Sequence, residues 1–448
     1  MSAPPGPAPW PFAALRAYRR DPLGYLEAAA AEHGGLVHFR MAHRHVYLLN
    51  HPDPVEHVLV RQAQRYRKGI TYAQLRRVIG QGLLGAEGEL WRAQRRLSQP
   101  FFGRRSLAQT VGGMALEAEA AVARLRAAGA AGPVELYEAM AETTLRVVGR
   151  CLLGVDAEPI VQSLRGCMQH LVPFALQQLT ALVPPPPWLP TPTNRRFKRA
   201  LATLDGIVNT LIEAPRVAAA DAPPTLLEAL LEARDDPAAA TMTSRQVRDE
   251  LVSNLLAGHE TTASALSWTL FELARRPELT AEVRAEVARV AGDAPLTAER
   301  VAELDLTRRV IQESLRLNPP TWVYTRHTVE ADQIGAHTLR ADAIVLLCQW
   351  TTHRNPAVWP DPLRFDPARF LPEQVAARPT FSYFPFGGGQ HQCIGRDFAL
   401  LELTVLVAEL VRRLELTLVD EAAVQPFPGI SLTPRDGIWA RVAPRAGD

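Results

Sequence analysis

The chain has 448 residues, enough for a large buried core, and its charge is nearly balanced, with 49 lysines and arginines against 47 aspartates and glutamates. That balance argues against a nucleic-acid-binding protein, which usually carries a clustered basic excess. The four cysteines are scattered without a Cys-x-x-Cys pair, so they predict no disulfide framework and favour a reducing compartment. No uncharged apolar run reaches the roughly 18 residues of a spanning helix, so we expect a cytoplasmic protein without a transmembrane anchor.

Residues 1–20 form a proline-rich N-terminal segment, and we treat residues 21–448 as one domain. Strand patterns occur early and late in the chain, at Leu36–Arg40, His45–Leu49, Gly335–Leu339 and Ala343–Trp350. Apolar residues at three- and four-residue spacing predict helices over Leu107–Ala128, Val134–Leu153, Thr203–Ile212, Arg245–Arg275 and Ala298–Leu317. The predicted fold is therefore mainly α with a small β region.

Two irregular segments interrupt this helical pattern. Val183–Thr193 is proline-rich and cannot be helical, because proline removes an amide donor and clashes with the preceding turn. We interpret it as a loop between helices rather than a domain linker, since it holds a tryptophan and a leucine. Glu232–Met242 precedes the longest predicted helix, which we expect Thr243 or Ser244 to cap.

The longest helix contains the stretch AGHETT, from Ala257 to Thr262, in which small residues precede an acid and hydroxyls. Glycine inside a helix costs about 1 kcal/mol relative to alanine, so the stretch marks either a packing glycine or a functional site. Flanking apolar residues indicate a buried helix, where the carboxylate of Glu260 is costly unless it is used or paired. The Thr261 hydroxyl can donate to the Ala257 carbonyl and bend the helix.

Near the C-terminal end, FPFGGGQHQCIG places three glycines just before Cys393. A phosphate-binding loop is disfavoured because no GK[ST] follows, and zinc is disfavoured because no second ligand pair lies nearby. A structural cysteine in a turn stays possible. An apolar stripe beginning at Ile394 predicts a helix whose positive end would favour a thiolate, which points to haem iron held by cysteine.

This loop resembles the haem-binding loop of the cytochrome P-450 family of haem-thiolate monooxygenases, F-x-x-G-x-[R/H]-x-C-x-G. The residues at the pattern positions are Phe386, Gly389, His391, Cys393 and Gly395. Arginine is more usual than histidine at the position of His391, which contacts a haem propionate. AGHETT resembles the family's oxygen-groove motif A-G-x-[D/E]-T-[T/S].

Three further segments resemble family elements in the same order along the chain. Trp91 and Arg95 match W-x-x-x-R, and Arg326 in TWVYTRHTV matches another propionate-binding arginine. Glu313 and Arg316 match E-x-x-R, and Arg369 in FDPARF matches the third member of a buried ion network. An isolated Glu/Arg pair at this spacing is usually a surface bridge, but its context favours a structural role here.

The resemblance, which is to soluble bacterial members, implies the triangular, mainly α fold and insertion of one atom of O2 into a C–H bond. It implies haem b (iron protoporphyrin IX) as cofactor, with Cys393 as its iron ligand. Glu260 and Thr261 would deliver protons, and Ala257 and Gly258 would leave room for O2. Trp91, Arg95, Arg326, His391 and Phe386 would contact the haem.

The sequence carries no flavin- or ferredoxin-like extension, so electrons from NAD(P)H are expected through a separate ferredoxin or flavodoxin-type partner and its reductase. Arg92, Arg96 and Arg104 are the expected basic contacts for that partner. The substrate is expected to be a large hydrophobic molecule, a carotenoid, terpenoid or fatty acyl chain, bound by a monomer. Its predicted pocket residues are Leu256, Thr321, Trp322, Val323 and Tyr324.

Two other functions would share the cysteine loop. Peroxide-driven peroxygenases of the family usually lack the acid–alcohol pair, so Glu260 and Thr261 disfavour that reaction. A non-enzymatic haem sensor or carrier would not need this pair.

Overall fold

A computed structural model describes residues 3–7, 10–180, 186, 188–214, 224–235 and 242–445, and in them helices dominate over short strands, as predicted. The helices are α1 Pro11–Arg20, α2 Pro22–His33, α3 Pro52–Glu56, α4 Ile70–Ile79, α5 Gly88–Ser98, α6 Arg104–Ala131, α7 Leu136–Val147, α8 Val161–Thr180, α9 Pro192–Glu213, α10 Leu226–Asp235, α11 Ser244–Ala274, α12 Pro277–Ala291, α13 Ala298–Ala302, α14 Asp305–Leu317, α15 Gln349–Thr352, α16 Pro372–Ala377 and α17 Arg396–Arg413. The strands are β1 Leu36–Met41, β2 Arg44–Leu49, β3 Tyr66–Arg67, β4 Val134–Glu135, β5 Tyr324–Thr328, β6 Asp332–Ile334, β7 His337–Leu339, β8 Ile344–Leu347, β9 Leu414–Leu418, β10 Pro426–Pro428, β11 Leu432–Pro434 and β12 Trp439–Pro444.

The longest helix, α11, begins at the predicted cap. The Thr243 hydroxyl accepts from the Gln246 amide at 3.2 Å, and Gln246 Oε1 accepts from the Thr243 amide at 2.7 Å. This reciprocal capping box satisfies two amide donors that the helix itself leaves unpaired. The predicted helix Arg245–Arg275 is confirmed to within one residue at each end.

The described residues fall into two compact units. The first unit lies within Met1–Gln74, Leu176–Pro184 and Gln312–Cys393. The second unit lies within Leu75–Ala175, Pro185–Ile311 and Ile394–Asp448. The single domain expected from residue 21 stays a prediction.

The first unit is built on a sheet with strand order β1-β2-β8-β5-β3. Only β2 and β8 in this sheet run parallel, with Leu48 opposite Leu346, and the other neighbours are antiparallel. One face of the sheet buries an apolar cluster that includes Tyr47, Val345 and Phe384. The sheet therefore forms a core on which the segment before Cys393 is anchored.

The second unit is a helical core around α11. This helix packs against α7 and α17, and α6 packs against α17. A small sheet of order β4-β12-β9 lies in the same unit. Most side chains of α11 from Leu251 to Leu273 are buried, which explains why the helix is apolar on nearly all sides.

Two predicted helices are wrong in extent. Val134–Leu153 starts as strand β4, because Val134 and Glu135 pair with β12, and it ends in a π-helical turn from Val148. Glu135 also accepts from the amides of Tyr137 and Glu138, so α7 begins only after it. The predicted helix Ala298–Leu317 breaks into α13 and α14.

Other boundaries also differ from the prediction. Helix α9 begins at Pro192, inside the predicted loop Val183–Thr193, because proline is well suited to a first helical turn and Thr191 caps the helix. Residues 183–185 and 187 of that loop lie outside the described residues. Helix α10 extends to Asp235 and so occupies the start of the predicted loop Glu232–Met242, whose residues 236–241 are likewise outside the description.

The late strands are shorter than predicted. The predicted strand Gly335–Leu339 is observed as β7, and Ala343–Trp350 as β8, which ends at Leu347 before α15 begins.

Candidate functional site

The cysteine loop of the first unit, residues 384–393, closes through its own backbone. The Cys393 amide donates to the Phe386 carbonyl at 2.9 Å, and the Gly387 amide donates to the Phe384 carbonyl at the same distance. Gly387 and Gly389 have φ of +69° and +66°, a region that favours glycine. The chain therefore turns twice before it presents Cys393.

Two of the glycines also permit close packing. A Cβ on Gly389 would lie 2.0 Å from the Leu59 carbonyl oxygen, and one on Gly388 would lie 2.4 Å from the ring of Phe381. Leu59 belongs to the π-helical turn His57–Arg61, so the loop rests directly on backbone. This close packing and the two turns explain why glycines occupy these positions.

Cys393 itself lies just before a helix rather than in it. Helix α17 begins at Arg396 with Gly395 as its N-cap, because residues 394 and 395 form a turn. The helix predicted from Ile394 therefore begins two residues later than expected. Cys393 is exposed, whereas Cys167 and Cys348 are buried.

Arg326 and His391, two of the predicted propionate contacts, line the same cavity of the first unit. Arg326 is only 7% exposed, and its guanidinium lies 5.2 Å from the centre of the Tyr324 ring. Lys68, which follows strand β3 beside β5, is only 6% exposed. A buried guanidinium such as that of Arg326 is costly without a nearby anion, so its surroundings fit a ligand that carries a carboxylate.

Sequence reasoning did not predict that Lys68 is buried. It stands in the segment YRKGITY, which carries no motif, and a lysine there is normally solvent-exposed. Only the folded structure shows that its side chain is buried.

The predicted ion network is assembled in the first unit. Arg316 donates to Glu313 through two parallel bonds of 2.7 and 2.8 Å, and both side chains are fully buried. Arg369 Nε lies 3.5 Å from Glu313 Oε1. Arg316 also donates to the carbonyls of His353 and Pro362 at 2.8 and 2.7 Å. These bonds tie α14 to the segment that precedes the cysteine loop.

In the second unit, the predicted bond within α11 is present. The Thr261 hydroxyl donates to the Ala257 carbonyl at 2.6 Å. Thr144 of α7 donates to the His259 carbonyl at 2.9 Å. A Cβ on Gly258 would lie 2.9 Å from a methyl group of Val148, so this glycine has a packing role between elements of this unit.

Glu260 is electrostatically unusual. Burial raises the pKa of Glu260 to about 7. Tyr137 of α7 lies close enough that, beyond its own burial, the charge of Glu260 further raises the pKa of Tyr137. A carboxyl group with this pKa can hold and release a proton near neutral pH.

The remaining predicted cofactor and partner contacts differ in accessibility. Trp91 is buried against Leu83, Ala86 and Ile394 in the second unit. Arg95 is half-buried, and its Nε donates to Gln99 at 2.9 Å. Phe386 is half-buried in the first unit. The predicted partner contacts Arg92, Arg96 and Arg104 are exposed, and Arg92 pairs with Glu89.

The predicted substrate residues are not equally accessible. Leu256, Thr321, Val323 and Tyr324 are partly exposed, whereas Trp322 is only 5% exposed. The Trp322 carbonyl accepts from the Trp350 amide at 3.0 Å. Within the described residues, the buried hydroxyl of Tyr324 has no hydrogen-bond partner, so a ligand atom could satisfy it.

A family model described as cytochrome P-450 matches residues 4–439. The chain belongs to the cytochrome P-450 family. Its mainly α fold agrees with this membership, and the protein is accordingly an oxidoreductase of the monooxygenase class, in a family that uses haem-thiolate and O2.

Three relatives illustrate which cytochromes P-450 the chain is similar to. Cyclooctatin synthase of Streptomyces melanosporofaciens is 36% identical over 92% of this chain and 90% of the relative. Cyclooctat-9-en-7-ol 5-monooxygenase of the same organism is 33% identical over 96% and 90%. Pentalenene oxygenase of Streptomyces avermitilis is 29% identical over 91% and 89%.

A search of the described helices found none both long and apolar enough to cross a membrane.

Proposed function

We propose that this cytochrome P-450 hydroxylates a large hydrophobic substrate of the terpenoid class, with Cys393 as the haem ligand. The observation that carries the proposal is the cysteine loop, which presents an exposed Cys393 behind two turns that require glycine. The buried cation Arg326 fits a carboxylate of haem b, since a guanidinium in a poorly solvated place needs an anion.

Haem, when bound, supplies the activation of O2 and the oxidation of the C–H bond. The residues of this chain would bind and orient it: Cys393 would hold the iron, and Arg326, His391, Arg95 and Trp91 would hold the propionates. Phe386 would contact the cofactor, and Ala257 and Gly258 would leave room for O2. Glu313, Arg316 and Arg369 support the cysteine loop from within the first unit.

Two residues of α11, Glu260 and Thr261, would deliver protons to the site. Glu260 holds a proton on its carboxyl group near neutral pH because burial has raised its pKa. Thr261 relays a proton at Oγ1, the atom that donates to the Ala257 carbonyl at rest. This acid–alcohol pair favours an O2-dependent reaction over a peroxide-driven one.

The substrate proposal rests on the relatives and on the partly exposed pocket residues. The names of two relatives specify cyclooctat-9-en-7-ol and pentalenene, which favours a cyclic terpenoid over a fatty acyl chain. Leu256, Thr321, Val323 and Tyr324 are the proposed substrate contacts and are partly exposed, whereas Trp322 is buried. A polar group on the substrate would pair with the Tyr324 hydroxyl.

Electrons come from NAD(P)H through a ferredoxin or flavodoxin-type partner, which contacts Arg92, Arg96 and Arg104. The protein acts as a cytoplasmic monomer.

The test is the absorption spectrum of the reduced, carbon-monoxide-bound protein. Wild type and the control Cys348→Ser should show a strongly red-shifted Soret band, and Cys393→Ser should lose it. Titration of the ferric protein with a cyclic terpene, a fatty acid and a carotenoid should then give a low- to high-spin shift at the lowest concentration with the terpene. A red-shifted band in well-folded Cys393→Ser protein would contradict the ligand assignment, and tighter binding of the fatty acid would contradict the substrate class.

A further inference from the structure

His353 joins the buried ion network to the cysteine loop inside the first unit. Its carbonyl oxygen accepts from Arg316 Nη1 at 2.8 Å. Its ring atom Nε2 accepts from the Phe384 amide at 3.0 Å. Phe384 is the residue at which the cysteine loop begins, so His353 is bonded both to the ion pair and to the loop.

These bonds determine the form of the imidazole. An acceptor at Nε2 requires a lone pair there, so the neutral ring carries its proton on Nδ1. An imidazolium ring would donate from both nitrogens and could not accept from Phe384. His353 is fully buried, and burial together with the charges of Arg316 and Arg354 lowers the pKa of His353 well below its ordinary value. The ring is therefore held in the form that accepts.

The packing around the ring restricts its rotation. The His353 ring lies 5.3 Å from the rings of both Tyr383 and Phe384, measured between centroids. Its Nδ1 is buried and has no hydrogen-bond partner among the described residues. A buried unpaired donor is unfavourable, so packing alone would be served better by an apolar side chain. The hydrogen bond to Phe384 explains why a histidine stands there.

Further backbone hydrogen bonds lead from Phe384 through the loop to Cys393. The Phe384 carbonyl accepts from the Gly387 amide, and the Phe386 carbonyl accepts from the Cys393 amide. An amide held at Phe384 thus fixes the start of a turn whose end determines where Cys393 lies.

We propose that His353 is a positioning residue, which transmits the rigid placement of the Glu313–Arg316 pair to the cysteine loop and so holds Cys393 in one conformation. This inference rests on the proposed role of Cys393 as the haem ligand. His353 acts through backbone and does not touch the cofactor.

Three substitutions separate the hydrogen bond from packing. His353→Gln places an acceptor oxygen near the position of Nε2, whereas His353→Asn places its polar atoms near Nδ1, and His353→Leu removes the acceptor. His337→Leu, on strand β7, is the matched control for loss of a histidine in the same unit.

Two measurements on the haem-loaded proteins test the proposal. Amide hydrogen exchange of the peptide that contains Phe384 should rise about tenfold in His353→Asn and His353→Leu and stay near wild type in His353→Gln and the control. The same two defective variants should lose much of the red-shifted Soret band of the reduced, carbon-monoxide-bound protein in favour of an unshifted band.

Unchanged exchange and spectrum in His353→Asn would overturn the proposal, and so would equal defects in the Gln and Asn variants, because packing alone would then explain them. If His353→Leu fails to fold, the Gln and Asn pair still decides the question. If wild type itself shows no red-shifted band, the haem-thiolate assignment fails, while the exchange measurement still reports whether His353 holds Phe384.

Discussion

Arg316 and Glu313 form a bidentate ion pair in which neither side chain is accessible to solvent. The attraction within such a pair offsets the free-energy cost of removing both charges from water only when both partners are present and their remaining hydrogen-bonding atoms are satisfied. Here Arg316 also donates to three backbone carbonyls, and Glu313 accepts from the Asp366 amide at 2.8 Å. The pair therefore fixes the positions of three chain segments in the first unit.

Removing one partner should be strongly destabilising. Arg316→Met removes the bidentate partner of the buried Glu313 and leaves it the longer contact with Arg369 and the Asp366 amide, so we expect the free energy of unfolding to fall by about 3 kcal/mol. Chemical denaturation followed by circular dichroism measures the change. The control Arg308→Met breaks an exposed pair with Asp305 and should cost less than about 1 kcal/mol. Equal losses in the two variants would contradict a special role for the buried pair.

Substitution of Gly389 should disturb the cysteine loop. Gly389→Ala adds a Cβ at positive φ and places it 2.0 Å from the Leu59 carbonyl, so the loop must shift. We expect partial loss of the red-shifted Soret band and a lower melting temperature. Gly292→Ala is the control, because it shares a positive φ but its nearest neighbouring atom is 3.9 Å away. It should show only the backbone strain, about 1 to 2 kcal/mol, and a normal spectrum.

Glu260→Gln should slow product formation and change its pH dependence. The wild-type carboxyl, with its pKa raised to about 7, changes protonation in the neutral range, whereas the amide does not titrate. We expect turnover to fall roughly 100-fold or more, as for loss of a positioned proton donor, and its inflection near pH 7 to disappear. Steady-state rates with a saturating redox partner from pH 6 to 8.5 measure both effects. An inflection that persists unchanged in Glu260→Gln would assign the titration to another group.

Glu250 provides a pH test that is independent of catalysis. Glu250 Oε2 accepts from the Leu83 amide at 3.2 Å, and burial raises the pKa of Glu250 from 4.5 to about 7. Between these values the folded protein binds a proton that the unfolded chain does not, so stability falls as pH rises from 4.5 to 7. The shift corresponds to about 3 kcal/mol.

Glu250→Gln should remove this loss, so its unfolding free energy relative to wild type should increase by about 3 kcal/mol between pH 4.5 and 8. Denaturation curves at several pH values measure the difference. The exposed Glu89→Gln is the control and should run parallel to wild type. If the unfolding free energy of Glu250→Gln instead changed with pH in parallel with that of wild type, the buried Glu250 carboxyl would not bind the predicted proton.

The sequence by itself determined the family and the helix that carries AGHETT. Helical spacing, the cap at Thr243 and the bond from Thr261 to Ala257 depend on residues at most four positions apart, so they can be read along the chain. The glycines before Cys393 also predict a tight loop, because glycine adopts positive φ without strain.

Tertiary structure alone decided the features that depend on distant segments. Val134 joins a strand because β12 lies beside it, and Lys68 is buried although no local pattern predicts it. The raised pKa of Glu260 comes from its burial, and His353 meets Phe384 across 31 positions of the chain. Burial and pairing between remote segments are properties of the folded chain, and no local pattern of residue types encodes them.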